Sequence, residues 1–196
     1  TEMIMPEWMS QYGGLTMDGE DVGALVRWIA HDAQIFGGNS GGPLVNLNGE
    51  IIGINEISLG LSGAIPSNLA RAVATELMDR GAVRRAWVGL EVQPRLKSSS
   101  ETTGALISGT IADSPASKVD IKSGDMLLSV AGTPVNIQFP VQLPDLNLLV
   151  CSLPIDKPVP FEIKHNDEIK TVEITPVERE PYEPKQFEQV QWGITI

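Results

Sequence analysis

Gly37-Gly38-Asn39-Ser40-Gly41-Gly42-Pro43 is the stretch of this 196-residue chain whose residue types can do chemistry. A serine that attacks a carbonyl needs an exposed hydroxyl and two backbone N–H groups converging on the oxyanion that forms. Glycines around Ser40 let successive N–H groups converge and let a substrate carbonyl approach without striking a Cβ atom. Bare glycine content would fit a turn in any β protein. The ordered string with Pro43-Leu44 and an Asn48-Gly49 hairpin signal behind it points instead to a nucleophile loop with Ser40 at its centre.

Other chemically capable residues are fewer. His31 stands nine residues before Ser40 and beside Asp32, which invites a local triad. A base must reach the hydroxyl within about 3 Å and be held by a third group. Neighbours on a strand point to opposite faces, so His31 and Asp32 cannot readily act together. Asp32 is read as a loop-fixing hydrogen-bond acceptor, its role otherwise open. His165, with Asn166 and Asp167, reads as a solvated turn between two strands. Cys151 is the single cysteine, which excludes an intrachain disulfide and a cysteine-built zinc site. Beside Leu148 and Leu149 it reads as a small buried hydrophobe. Asp113, Asp120 and Asp125 are too scattered for a calcium loop. No metal and no cofactor is expected.

The elements that must hold these groups follow from pattern. Residues 1–20 are rich in Met and Gly and suggest a loop or weak hairpin. Val22–Ala30 reads as a buried strand, and Leu44–Leu47 and Ile51–Asn55 flank the Asn-Gly turn. A helix follows Pro66, with Ser67 or Asn68 as cap, Leu69, Val73, Leu77 and Met78 as its buried face, and Gly81 as its stop. Ala86–Val92, Ala105–Ile111 and Asp125–Val130 read as strands, with a helical turn at Ser114–Val119. A turn at Ala131–Pro134 leads to a helix near Asp145–Leu153, and Val159–Lys164 and Glu168–Thr175 are further strands. Residues 178–189 have the charge and proline content of a linker. Trp192–Ile196 alternates like a strand just begun and echoes Trp87-Val88-Gly89-Leu90. With no initiator Met and no leader-like start, the chain is expected to be an internal piece of a longer protein.

Composition narrows the classes. A formal net charge of −11 argues against nucleic acid and anionic membrane as partners. With 42% hydrophobic and 20% charged residues the chain suits a packed globular protein. No run approaches the roughly 18 apolar residues of a spanning helix.

Asp32-Ala33-Gln34-Ile35, Gly38 to Asn46, Gly49 to Asn55 and Ala64-Ile65-Pro66-Ser67 together resemble the HtrA/Deg family of trypsin-like serine proteases. Trp87-Val88-Gly89-Leu90, Ser114-Pro115-Ala116 and Lys122-Ser123-Gly124-Asp125 resemble the PDZ domain that follows the protease there. The resemblance implies a mainly β fold. Residues 1–82 would be the second β-barrel half of a trypsin-like protease. Residues 83–178 would be a PDZ domain, an α+β module with a five- to six-stranded partly open sheet and two helices. A linker would follow at 179–190 and the start of a second PDZ domain at 191–196.

In function, the resemblance implies a serine endopeptidase degrading unfolded or misfolded protein. Ser40 is then the nucleophile, and the Gly38 and Ser40 amides form the oxyanion hole. The His and Asp of the triad would come from an earlier region not contained here. Val88, Gly89 and Leu90 would take the carboxylate of a peptide C-terminus, in a groove between Leu90–Val92 and the helix near Leu146–Val150. The family further implies a bacterial envelope or periplasmic location and a homotrimer or larger assembly. Two departures stand out: Phe36-Gly37 precedes the oxyanion glycine, and in the short loop Leu59–Gly63, which lines the primary specificity pocket in relatives, Gly63 stands where an aromatic is common. Side-chain preference therefore does not carry over. The competing readings are a catalytically inactive peptide-binding chaperone or scaffold, and a PDZ module that is only a spacer.

Overall fold

The computed structural model describes residues 23–97 and 101–179, apart from the Leu59 side chain. Outside these it describes the backbone of four two-residue strands, which pair as Thr16–Met17 with Glu20–Asp21 and Glu188–Gln189 with Ile194–Thr195. The rest of the expected linker and of the terminal strand lies outside the described residues.

The first sheet holds β1 (Ile29–His31), β2 (Pro43–Val45), β3 (Ile51–Leu59) and β4 (Leu61–Pro66), in the order β1-β4-β3-β2. Asn46 builds the β2–β3 turn. Its carboxamide oxygen accepts from the N–H of Asn48 (2.9 Å) and of Glu50 (3.0 Å), which supplies the turn with side-chain bonds. Trp28, Ala30 and Ile57 are buried together, with Val26 and Ile65 against them.

Two expectations change here. The strand expected over Val22–Ala30 shrinks to Ile29–His31, because Gly23 starts a turn whose carbonyl takes the N–H of Val26, and only Ser62–Ala64 of β4 faces β1. Helix α1 (Ser67–Arg80) follows Pro66 without any side-chain cap; the Asn68 carboxamide oxygen accepts only from Leu69 N–H. Gly81 ends it, donating to the Leu77 carbonyl. Leu69 and Val73 are half-buried toward β3 and β4, but Leu77 is exposed and Met78 is 79% exposed. The helix outruns the sheet that covers its first turns, so the expected face is buried only in part.

The second sheet runs β11 (Glu168–Ile174), β10 (Val159–His165), β8 (Met126–Val130), β7 (Ala105–Thr110), β6 (Leu90–Gln93), with β9 (Thr133–Pro134) paired to β8. Along β10 the residues Val159, Phe161 and Ile163 are buried and Pro160 and Glu162 exposed, the period-two pattern of a strand with one covered face. Helix α2 (Leu143–Cys151) closes that face through Leu146, onto Ile107, Leu127, Val130 and Phe161. The helical turn expected at Ser114–Val119 is one 3₁₀ turn, Ala116–Lys118, ended by an extended Val119. Short β5 (Ala86–Trp87) pairs with β12 (Val177–Glu178), and Arg84 locks the pair by donating from Nε (2.9 Å) and Nη2 to the Glu178 carboxylate.

His165 is not a free turn residue. The β10–β11 register continues to His165 opposite Glu168, leaving only Asn166 and Asp167 for the turn. Its Nδ1 lies 2.5 Å from Oδ1 of Asp125, a carboxylate that is 1% exposed and also accepts the Lys122 N–H at 3.0 Å.

Candidate active site and peptide groove

Ser40 sits on two consecutive tight turns. The first closes when Asn39 N–H donates to the Phe36 carbonyl at 3.0 Å, the second when Gly42 N–H donates to the Asn39 carbonyl at 3.0 Å. Each turn has a glycine at its third position, Gly38 at φ +103° and Gly41 at φ +84°. L side chains rarely adopt either angle, so the glycines are what the path requires. Among the described residues nothing accepts the N–H of Gly38 or of Ser40. Two free donors on either side of Asn39, beside an exposed hydroxyl, can hold a developing oxyanion.

Strand β3 anchors this loop. Gly41 N–H donates to the Asn55 carbonyl (2.7 Å), Asn55 N–H to the Gly42 carbonyl (2.8 Å), and Asn55 Nδ2 to the Pro43 carbonyl (3.3 Å). Immediately after Asn55 the β3–β4 register slips at Glu56, between the pairs Asn55–Ala64 and Ile57–Gly63. The bulge frees the Glu56 carbonyl from the ladder, and Ser40 Oγ donates to it at 3.1 Å.

Asn55 and Glu56 were not singled out by sequence reasoning. The available signal was an Asn ending the apolar run Ile51-Ile52-Gly53-Ile54.

His31 makes no hydrogen bond to Ser40, whose hydroxyl donates to the Glu56 carbonyl. Both ring nitrogens of His31 are buried without a partner among the described residues, as are Trp28 Nε1 and Asn55 Oδ1. Asp32 is exposed and makes no hydrogen bond among the described residues, so the loop is fixed by β3 instead. Among the described residues no three His, Cys, Asp or Glu side chains cluster as metal ligands would.

Val88, Gly89 and Leu90 lie on the bend from β5 into β6. The Val88 carbonyl accepts from Ala116 N–H (2.9 Å) and the Gly89 carbonyl from Ile111 N–H (2.8 Å). No described residue accepts the N–H of Val88 or Gly89. Beside them lies a cavity of about 240 Å³ lined by Val88, Leu90 and Val92 on one side and Leu146 and Val150 of α2 on the other.

Ala24 and Leu25 reach the same cavity from the first half of the chain. Asn147 Nδ2 donates to the Ala24 carbonyl and Arg27 Nη1 to Asp145 Oδ2, both at 2.7 Å. Cys151, at the end of α2, is half-buried rather than fully so, and burial pushes its thiol up.

No family model matches the chain. A probable periplasmic serine endoprotease, DegP-like, from Marinomonas sp. (strain MWYL1) is 35% identical over 179 residues, covering 85% of this chain and 37% of that relative. Among solved structures, the HtrA-type protease AlgW with tripeptide superposes with a TM-score of 0.70 at 26% identity, over 86% of this chain and 58% of that one. The serine endoprotease from Yersinia pestis gives 0.59 at 29% identity, over 79% and 53%. The mainly β architecture that presents Ser40 is therefore that of an HtrA-type serine protease. The matched stretch is HtrA/Deg-family sequence, and the chain spans little more than a third of the curated relative it matches over most of its own length.

Proposed function

We propose that this chain carries the nucleophile half of a serine endopeptidase, residues 1–82, joined to a peptide-binding PDZ domain, residues 83–178. The observation that carries the reading is the exposed Ser40 hydroxyl beside the N–H groups of Gly38 and Ser40, which have no partner among the described residues. Ser40 Oγ leaves the Glu56 carbonyl and gives its proton to a histidine from an earlier part of the longer protein. Oγ then attacks the scissile carbonyl. The carbonyl oxygen, now an oxyanion, rests on the two N–H groups until the bond to nitrogen breaks and the amine leaves with that proton. Water repeats the sequence on the acyl-enzyme. The substrates are unfolded or misfolded proteins, and the PDZ domain takes peptide C-termini at Val88, Gly89 and Leu90. Relatives are named periplasmic, and the envelope is the proposed location, in a trimer or larger assembly.

Casein cleavage by the full-length protein tests this. Ser40→Ala is expected to lower kcat by on the order of a million-fold, to background. The 196-residue chain alone, which places no base at Ser40 among its described residues, is expected to be inert. Undiminished cleavage by Ser40→Ala would overturn the assignment. A full-length parent that binds unfolded protein and cleaves none of it would favour the scaffold reading.

A further inference from the structure

We propose that Asn55 is the positioning residue of the nucleophile loop, acting through its side-chain carboxamide; this rests on the reading of Ser40 as nucleophile. Asn55 touches each of the three residues that follow Ser40: it accepts from Gly41, donates to Gly42 through its backbone, and donates to Pro43 through Nδ2. Any residue in β3 could make the two backbone bonds. Only a side-chain donor can make the third. Pro43 has no N–H, so its carbonyl is the one backbone group by which that residue can be tied, and Asn55 Nδ2 ties it.

The carboxamide is an expensive choice at this place. It follows Ile51-Ile52-Gly53-Ile54, and its Oδ1 is buried with no partner among the described residues. A buried amide oxygen left unpaired costs free energy that an aliphatic side chain would not. What the amide supplies in return is a fixed distance between two parts of the site. Asn55 is the last residue in register before the Glu56 bulge, and that bulge carries the carbonyl to which Ser40 donates. One side chain thus holds the arc after Ser40 against the strand that bears the hydroxyl's partner. Both the hydroxyl and the Ser40 N–H inherit their positions from it, and misplacement by about 1 Å is enough to cost on the order of a hundredfold in rate.

The test uses the full-length protein with three variants. Asn55→Asp keeps the shape but cannot donate to Pro43, Asn55→Ala removes the group without adding charge, and Asn55→Gln retains a carboxamide. Measured are kcat and KM on a fluorogenic peptide, the rate at which a fluorophosphonate labels Ser40, and the thermal midpoint. Asn55→Asp and Asn55→Ala are expected to lose kcat by about ten- to a hundredfold, with KM within about twofold and labelling slowed in proportion. Asn55→Gln is expected to recover part of both rates. A purely structural role would lower the midpoint and the folded fraction and leave the rate per folded molecule unchanged. Rates per folded molecule within about threefold of the parent in both Asn55→Asp and Asn55→Ala would overturn the proposal. Ser40→Ala in the same assays separates the two readings. If it retains cleavage and labelling, the nucleophile assignment fails; if it abolishes both while the Asn55 variants match the parent, only the Asn55 role fails.

Discussion

A side chain at position 89 would place its Cβ 2.1 Å from that of Ser114, on a backbone at φ +71°. Ser114 is fully buried and cannot step aside, since its hydroxyl donates to the Gly89 carbonyl and accepts from Ser117 N–H. Gly89→Val is therefore expected to destabilise the second sheet by about 3 kcal/mol or more, from strain and overpacking together. Urea unfolding of the chain measures this; a midpoint equal to the parent's would mean the contact is absent in solution. Sequence reasoning selected Gly89 for a curl around a carboxylate, whereas the structure gives packing against Ser114 as a sufficient reason for glycine there. The same limit applies across the nucleophile loop. Ser40 is readable as a candidate nucleophile from residue type and spacing, and Gly38 as a candidate oxyanion donor from the family resemblance. Asn55 is not, because its partners are the backbone groups of Gly41, Gly42 and Pro43, which a sequence does not mark.

Strand pairing between β5 and β12 brings Arg84 and Glu178, ninety-four positions apart, into a two-bond ion pair. The Arg84 hydrogen bonds hold the Glu178 carboxyl below the usual carboxylate range. A carboxyl depressed in the folded state adds stability above its unfolded value, about 4.3 for a free glutamate. That contribution is lost as pH falls through the lower folded value. The parent is therefore expected to exceed Glu178→Gln in unfolding midpoint at pH 7, with the gap closing toward pH 3 and shrinking in high salt. A gap independent of pH would mean that Glu178 acts through packing. Elements with a strict period were legible in sequence: Val159, Phe161 and Ile163 marked β10 without ambiguity. The α1 face was not, because Leu77 and Met78 have helical spacing whether or not a sheet extends far enough to cover them. His165 was missed for a related reason. The run His165-Asn166-Asp167 looks like a turn, and only the β10–β11 register and a buried Asp125 forty positions away make His165 a strand residue.

The two halves of the chain meet where Ala24 and Leu25 lie against α2, held by Asn147 and by the Arg27–Asp145 pair. That contact shares its cavity with Val88 and Gly89, whose N–H groups have no partner among the described residues. A peptide with a free C-terminal carboxylate is expected to bind residues 83–179 more tightly than its amidated form, by about 1–3 kcal/mol, in a fluorescence-anisotropy titration. Equal affinities would mean that the bend at Gly89 does not capture a carboxylate. The covalent link from Ala24 to the rest of the chain adds a quantity that contact distances do not contain. A tethered segment confronts its docking surface at an effective concentration set by its connection rather than by the protein concentration. A peptide that needs the place of Ala24 and Leu25 would be an intermolecular ligand opposed by an intramolecular one, its apparent affinity scaled by the fraction of molecules in which they have let go. Residues 83–179 cut free of that competitor are expected to bind the same peptide more tightly than the intact chain does, and Asp145→Ala in the intact chain to recover part of the difference.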